Sequence, residues 1–146
     1  MISMIRIWPM SDKIPGFAGV SIEQVQKRWF LRELPARKGR FGYPSAGLNT
    51  PPGTVILFQF QARIIASAVL ERDEKFARPI GGSRGRLHFD VASIRIFDPV
   101  DIEAMRRIWP GIGSFGHVKQ RLNPASYGKF KRRLKNVVSP ARAAVV

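Results

Sequence analysis

The sequence predicts an α+β domain in which a partly closed β-barrel is flanked by helices. Three observations carry this. Gly53–Leu70, G-T-V-I-L-F-Q-F-Q-A-R-I-I-A-S-A-V-L, is the most apolar run in the chain. Its β-branched and aromatic segments, Val55–Phe60 and Ile64–Leu70, flank the polar break Gln61-Ala62-Arg63, the pattern of a β-hairpin. Both segments are almost continuously hydrophobic, so both of their faces need cover, which a partly closed barrel would supply. Finally, three stretches with helical periodicity flank this hairpin, one before it and two after it.

Taken in order, Met4–Trp8 alternates as a first strand and stops at Pro9. Ser11–Gly19 carries Pro15, Gly16 and Gly19 and reads as loop. Ser21, with Gln24 three residues on, forms a capping-box signature. Ile22, Val25, Trp29 and Phe30 then give a helix with one buried face, ending near Arg32 before Pro35. Pro35–Pro52 reads as a long loop or a loop holding a short strand. Strand pairing begins after Gly53, because Pro51 and Pro52 have no N–H to give a central ladder. Beyond the hairpin, Glu71–Lys75 reads as a charged turn and Arg78–Arg86 as a Gly-rich basic loop without a P-loop signature. Leu87–Phe97 is strand-like, Asp98-Pro99 opens a short helix, and Trp109-Pro110-Gly111 ends it. Asn123 caps a last helix with Pro124 in its first turn, and Tyr127, Phe130, Leu134 and Val137 form its core stripe. The 146 residues suffice for one core, expected over residues 1–138, with 139–146 a frayed tail.

The charge points to a partner. Lys and Arg total 25 against 10 Asp and Glu, a net charge of +15. An excess of this size suits a polyanion, nucleic acid first and an anionic membrane surface second, or an acidic protein. The excess is uneven: Lys27–Arg40 holds six basic residues and Lys119–Lys135 seven. No cysteine is present, so no disulfide framework or thiolate zinc site is expected, which fits a cytoplasmic chain. Met1–Ile14 lacks a secretory apolar core, and the Gln and Arg residues of the hairpin argue against a membrane span.

Candidate contacts follow from residue type. Arg37, Lys38 and Arg40 interleave with Phe41 and Tyr43, a pairing of cations for phosphates with aromatics for bases. The same rings could instead pin the loop to the core. Arg84 and Arg86 are further phosphate candidates, as are Lys119, Arg121, Lys131 and Arg132. The two histidines, His88 and His117, have no metal-ligand companion at helical spacing, so no metal or other cofactor is expected. His117 sits among cations and suits ligand contact; His88 shares a strand face with Asp90, as an ordinary strand pair or a catalytic one. The carboxylates Glu71, Asp73 and Glu74 read as a solvated turn, neutralised by Arg72 and Lys75.

A helix closing on Arg28-Trp29-Phe30, a basic aromatic segment, and then P-P-G-T-V-I-L-F-Q-F-Q-A-R-I-I-A-S-A-V-L resemble the PUA-like superfamily. Within it the chain looks most like the EVE and ASCH domains. S-I-R-I-F-D-P-V-D-I and F-G-H-V-K-Q-R-L-N-P-A-S-Y-G-K-F are similar to segments following the barrel in EVE-like domains of some modification-dependent HNH nucleases. The resemblance spans Lys27–Leu134 and implies a small PUA-like β-pseudobarrel of five or six strands with flanking helices, whose concave mouth binds RNA or a flipped, modified DNA base. Carried onto this chain, it makes Trp29, Phe41, Tyr43 and Trp109 the aromatic candidates, with Ser45 and Gln120 for the base edge. Trp29 and Trp109 also suit plain core roles. No HNH motif is present. The expected function is a nucleic-acid-binding module. The alternative is an ASCH-type hydrolase or ribonuclease using His117 with Lys119, or His88 with Asp90.

Overall fold

The structure is a computed structural model that describes residues 4–11, 17–43, 50–113 and 121–140. Its strands are β1 (Ile5–Pro9), β2 (Arg40–Tyr43), β3 (Val55–Phe60), β4 (Arg63–Ile80), β5 (Ser83–Phe89), β6 (Arg95–Val100) and β7 (Arg121–Leu122). Between β1 and β2 one helical segment passes through α1 (Ile22–Gln24), a π-helix (Val25–Glu33) and α2 (Leu34–Ala36). Helix α3 (Ile102–Ile108) follows β6, and α4 (Tyr127–Arg133) follows β7.

Strand order is β2-β5-β4-β3-β1-β7, with β6 also on β4. The β1–β3 pair is parallel and the others are antiparallel. The class is α+β, as expected, but the described residues form seven strands and their path does not close: β2 and β7 stand at its opposite ends. Strand β4 is the reason. Its first part lies against β3 and β6, while its second part runs on to pair with β5.

The central hairpin forms as the sequence demands. Gln61 and Ala62 turn it with φ of 50° and 61°, and Phe60 pairs with Arg63. Both central residues in the left-handed region is the tight hairpin turn that matches strand twist. Along β3, Ile56, Phe58 and Phe60 face one core with Trp29, Phe30 and Leu34, while Val55 and Leu57 face a second with Met105, Ile108 and Phe130. This period-2 division explains the continuous hydrophobicity: each face of the strand has its own helical cover.

Several boundaries differ from expectation. The segment Glu71–Lys75 is strand, and Arg78–Arg86 is mostly strand around a Gly81-Gly82 turn with φ of 57° and 84°. The run Leu87–Phe97 is broken by a 3₁₀ turn at Val91–Ser93, whose N-cap is Asp90. Asp98-Pro99 lies inside β6, and Asp101 caps α3 instead. The capping box at Ser21 is present, but the helical segment continues through Pro35 to Ala36 instead of ending near Arg32. Asn123 caps a 3₁₀ turn, Pro124–Ser126, that leads into α4. Leu134 and Val137 lie beyond α4 yet pack against the second core, as the stripe required.

Candidate nucleic-acid interface

The distal sheet β2-β5-β4 has two unlike faces, set by its register. Arg40 pairs with His88 and His88 with Arg72; Gly42 pairs with Arg86 and Arg86 with Glu74. Alternation therefore puts Arg40, Arg72, Arg84, Arg86, His88 and Glu74 on one face. The other face carries Phe41, Tyr43, Leu87 and Phe89, all buried in the first core.

A cleft of about 480 Å³ opens on the cationic face, lined by Arg37, Arg40, Gly42, Phe76, Ile80 and Arg86 among others. Arg37 comes from the end of the helical segment, where its guanidinium lies 4.9 Å from the Trp29 ring centroid. Arg40 Nε donates to the Arg37 carbonyl at 3.0 Å. Gly39 joins the two, with φ of 80°, and an added Cβ there would fall 2.0 Å from the Phe89 carbonyl oxygen. Only glycine fits, so the basic corner is locked to β5 by its backbone.

Glu74 organises the cations opposite. Its Oε1 accepts from Arg86 Nε at 2.6 Å and lies 2.8 Å from His88 Nε2 and 3.8 Å from Arg72. The hydrogen bond from Arg86, then that with His88, holds the Glu74 carboxyl down at about 2. Arg86 also lies over the Phe76 ring, 5.5 Å from its centroid. Four arginines share this face with one carboxylate, so its charge stays strongly positive near neutral pH.

The candidate residues divide accordingly. Arg37, Arg40 and Arg86 meet at the cleft; Lys38 and Arg84 are exposed near it. Phe41 and Tyr43 are 7% and 4% exposed, so neither offers a ring face to a base. Phe41 packs on Trp8 and Trp29, with centroids 4.6 and 5.2 Å away. Tyr43 lies across Gly85, where a Cβ would sit 2.2 Å from the phenol oxygen, and its O–H donates to Asp73 Oδ1 at 2.6 Å. Burial, that bond and the Asp73 charge push the phenol up to about 12. These rings pin β2 to the core. Trp109 is likewise buried and donates from Nε1 to the Asn123 carbonyl at 2.9 Å.

Arg121, Lys131 and Arg132 are exposed, but they lie on β7 and α4, beside the second core and away from this cleft. None of the described residues of the second basic block lines this cleft. His88 meets Glu74 rather than Asp90, whose side chain accepts from Ala92 N in the following turn, so the His88–Asp90 pair does not form. Ser45, His117, Lys119 and Gln120 fall outside the described residues.

Sequence reasoning missed Arg72, Glu74, Phe76 and Ile80 because it ended β4 at Leu70. The available signal was Ile80-Gly81-Gly82-Ser83, a two-glycine hairpin turn between segments that alternate. No group of three or more His, Cys, Asp or Glu that would hold a metal occurs among the described residues. No helix among them is long and apolar enough to cross a membrane. Comparison with family models, curated proteins and solved structures gives no match.

Proposed function

We propose that this protein is a nucleic-acid-binding module whose phosphate-contacting surface is the cationic face of β2-β5-β4. One observation carries the reading: Arg37, Arg40 and Arg86, from three different elements, converge on a single cleft, with Arg72 and Arg84 on the same face. Guanidinium groups suit phosphate because their fork of donors matches its oxygens, and a concave cationic surface concentrates the polyanion near it. The net charge of +15 supplies the long-range attraction. Phe76, on the cleft wall, supplies apolar surface for a sugar or base.

The PUA-like, EVE/ASCH-type identity belongs to this proposal as well. It rests on the helical segment that carries Trp29, the basic aromatic strand β2 and the hydrophobic hairpin β3–β4, in that order along the chain. Reading of a modified base would fall to the cleft, since Phe41 and Tyr43 are enclosed.

The test is a fluorescence-anisotropy titration with single-stranded RNA, duplex DNA, and duplex DNA carrying methylated cytosine, at two salt concentrations. Salt-sensitive binding supports the module, and a preference for the methylated duplex that survives high salt supports base reading. Absence of salt-sensitive binding to all three refutes the proposal.

A further inference from the structure

Beyond the phosphate-contacting face, the hairpin of β4 and β5 projects as an arm. Strand β2 ends at Tyr43, opposite Gly85, so residues 76–84 extend past the last residue it pairs. Nearly all of them are exposed. The ladder shifts register between Lys75 and Ile80 and closes again at Ile80–Ser83, around Gly81-Gly82. Pro79 fixes its own φ just before that turn, which stiffens the tip.

At the tip stands Ile80, 65% exposed, the exposed large hydrophobic among the described residues. An isolated surface isoleucine is ordinary. This one is different in its setting: it lies beside a cationic cleft, with Arg78 and Arg84 exposed on the two strands of the same arm. Positive charge beside an apolar tip is the chemistry of a side chain that enters a base stack while its neighbours hold the flanking phosphates.

We propose that the β4–β5 arm is a probe of duplex DNA in which Ile80 wedges between adjacent base pairs. The inference rests on the nucleic-acid-binding reading above and adds the occupant and the action. Two-stranded ribbons enter the minor as well as the major groove of B-form DNA, and apolar wedges part its base steps from the minor groove, whereas the minor groove of A-form RNA is wide and shallow and gives a ribbon no walls. Wedging favours steps whose stacking is already weak, so a mismatched or TA step is the preferred site.

The experiment uses the full chain and short DNA duplexes with a fluorescent aminopurine beside a mismatch, since unstacking raises its emission. Binding of the parent protein should raise the fluorescence. Ile80→Ser should lose most of that rise while its low-salt affinity falls by only about threefold or less, because phosphate contacts dominate there. Ile80→Phe, which keeps an apolar wedge, should retain the rise. Ile80 is exposed, so these variants should fold as the parent does, and circular dichroism checks this. A parent that binds without any rise, an unchanged rise in Ile80→Ser, or an equal rise on an RNA duplex each overturns the wedge and leaves the phosphate-binding reading standing. Failure of the parent to bind any nucleic acid removes both.

Discussion

Gln26→Leu removes the two hydrogen bonds that fasten the helical segment to the sheet. Gln26 is buried, and its Nε2 donates to the Ile65 carbonyl at 2.9 Å and the Phe97 carbonyl at 2.7 Å. The β4–β6 ladder breaks at this point: Ile64 pairs with Val100 but Ala66 with Ile96, so the register shifts between them. The amide of Gln26 bridges the gap. Leucine has a similar volume, so packing is largely kept while two carbonyls lose a donor. At about 1–2 kcal/mol for each bond lost in a buried setting, the cost is roughly 2–4 kcal/mol. For a domain of this size that lowers Tm by roughly 4–16 °C. Urea denaturation followed by fluorescence should show a lower midpoint with an unchanged m-value. A cost below about 0.5 kcal/mol would refute the bridging role, because it is the size of an ordinary surface substitution.

Three further outcomes are expected. The Glu74 carboxyl is held at about 2 against an ordinary value of 4.5, so its contribution is full above pH 4.5 and is lost as pH falls toward 2. The stability gap between parent and Glu74→Gln, followed by thermal melts across that range, should therefore close in acid; a constant gap would contradict the pairing. Tyr43 titrates at about 12 against 10, so its stabilising contribution is present below pH 10 and declines between pH 10 and 12. Tyr43→Phe should cost roughly 1.5–3 kcal/mol at pH 8, the range for a bond to a charged group, and the gap should narrow in alkali. Replacing Gln61-Ala62 by Asn-Gly should raise stability by about 1–2 kcal/mol in urea denaturation, because both positions are left-handed and side chains other than Asn or Gly are strained there.

What the sequence made legible was governed by local chemistry. The Ser21 capping box, the Asn123 cap and the hairpin about Gln61 depend on neighbours a few residues apart, and each formed near its expected place. The errors arose where tertiary pairing outweighed local character. Glu71–Lys75 looks like a solvated turn, yet β5 supplies it with a ladder, and Arg86 and His88 supply its Glu74 with partners. Phe41 and Tyr43 resembled stacking platforms because basic residues surround them in sequence. In the fold, alternation along β2 sends the rings inward and Arg40 outward, so the cations and the aromatics separate onto opposite faces. Arg37, Arg40 and Arg86 thus line the cleft, while the rings of Phe41 and Tyr43 are enclosed in the core. The hydrophobicity of β3 correctly required cover on both sides, but two cores on one open sheet meet that requirement as well as a closed barrel does.

The central claim is that phosphate contacts come from the β2-β5-β4 face. Its most direct test is the salt dependence of duplex DNA affinity for the parent, for Arg40→Gln with Arg84→Gln, and for Lys129→Gln with Lys131→Gln on α4. Loss of two phosphate contacts should reduce the log–log slope by roughly 1.4–1.8 in the first pair, with the α4 pair close to the parent. An unchanged slope in the first pair, or an equal reduction from α4, would contradict the assignment of the interface to this face.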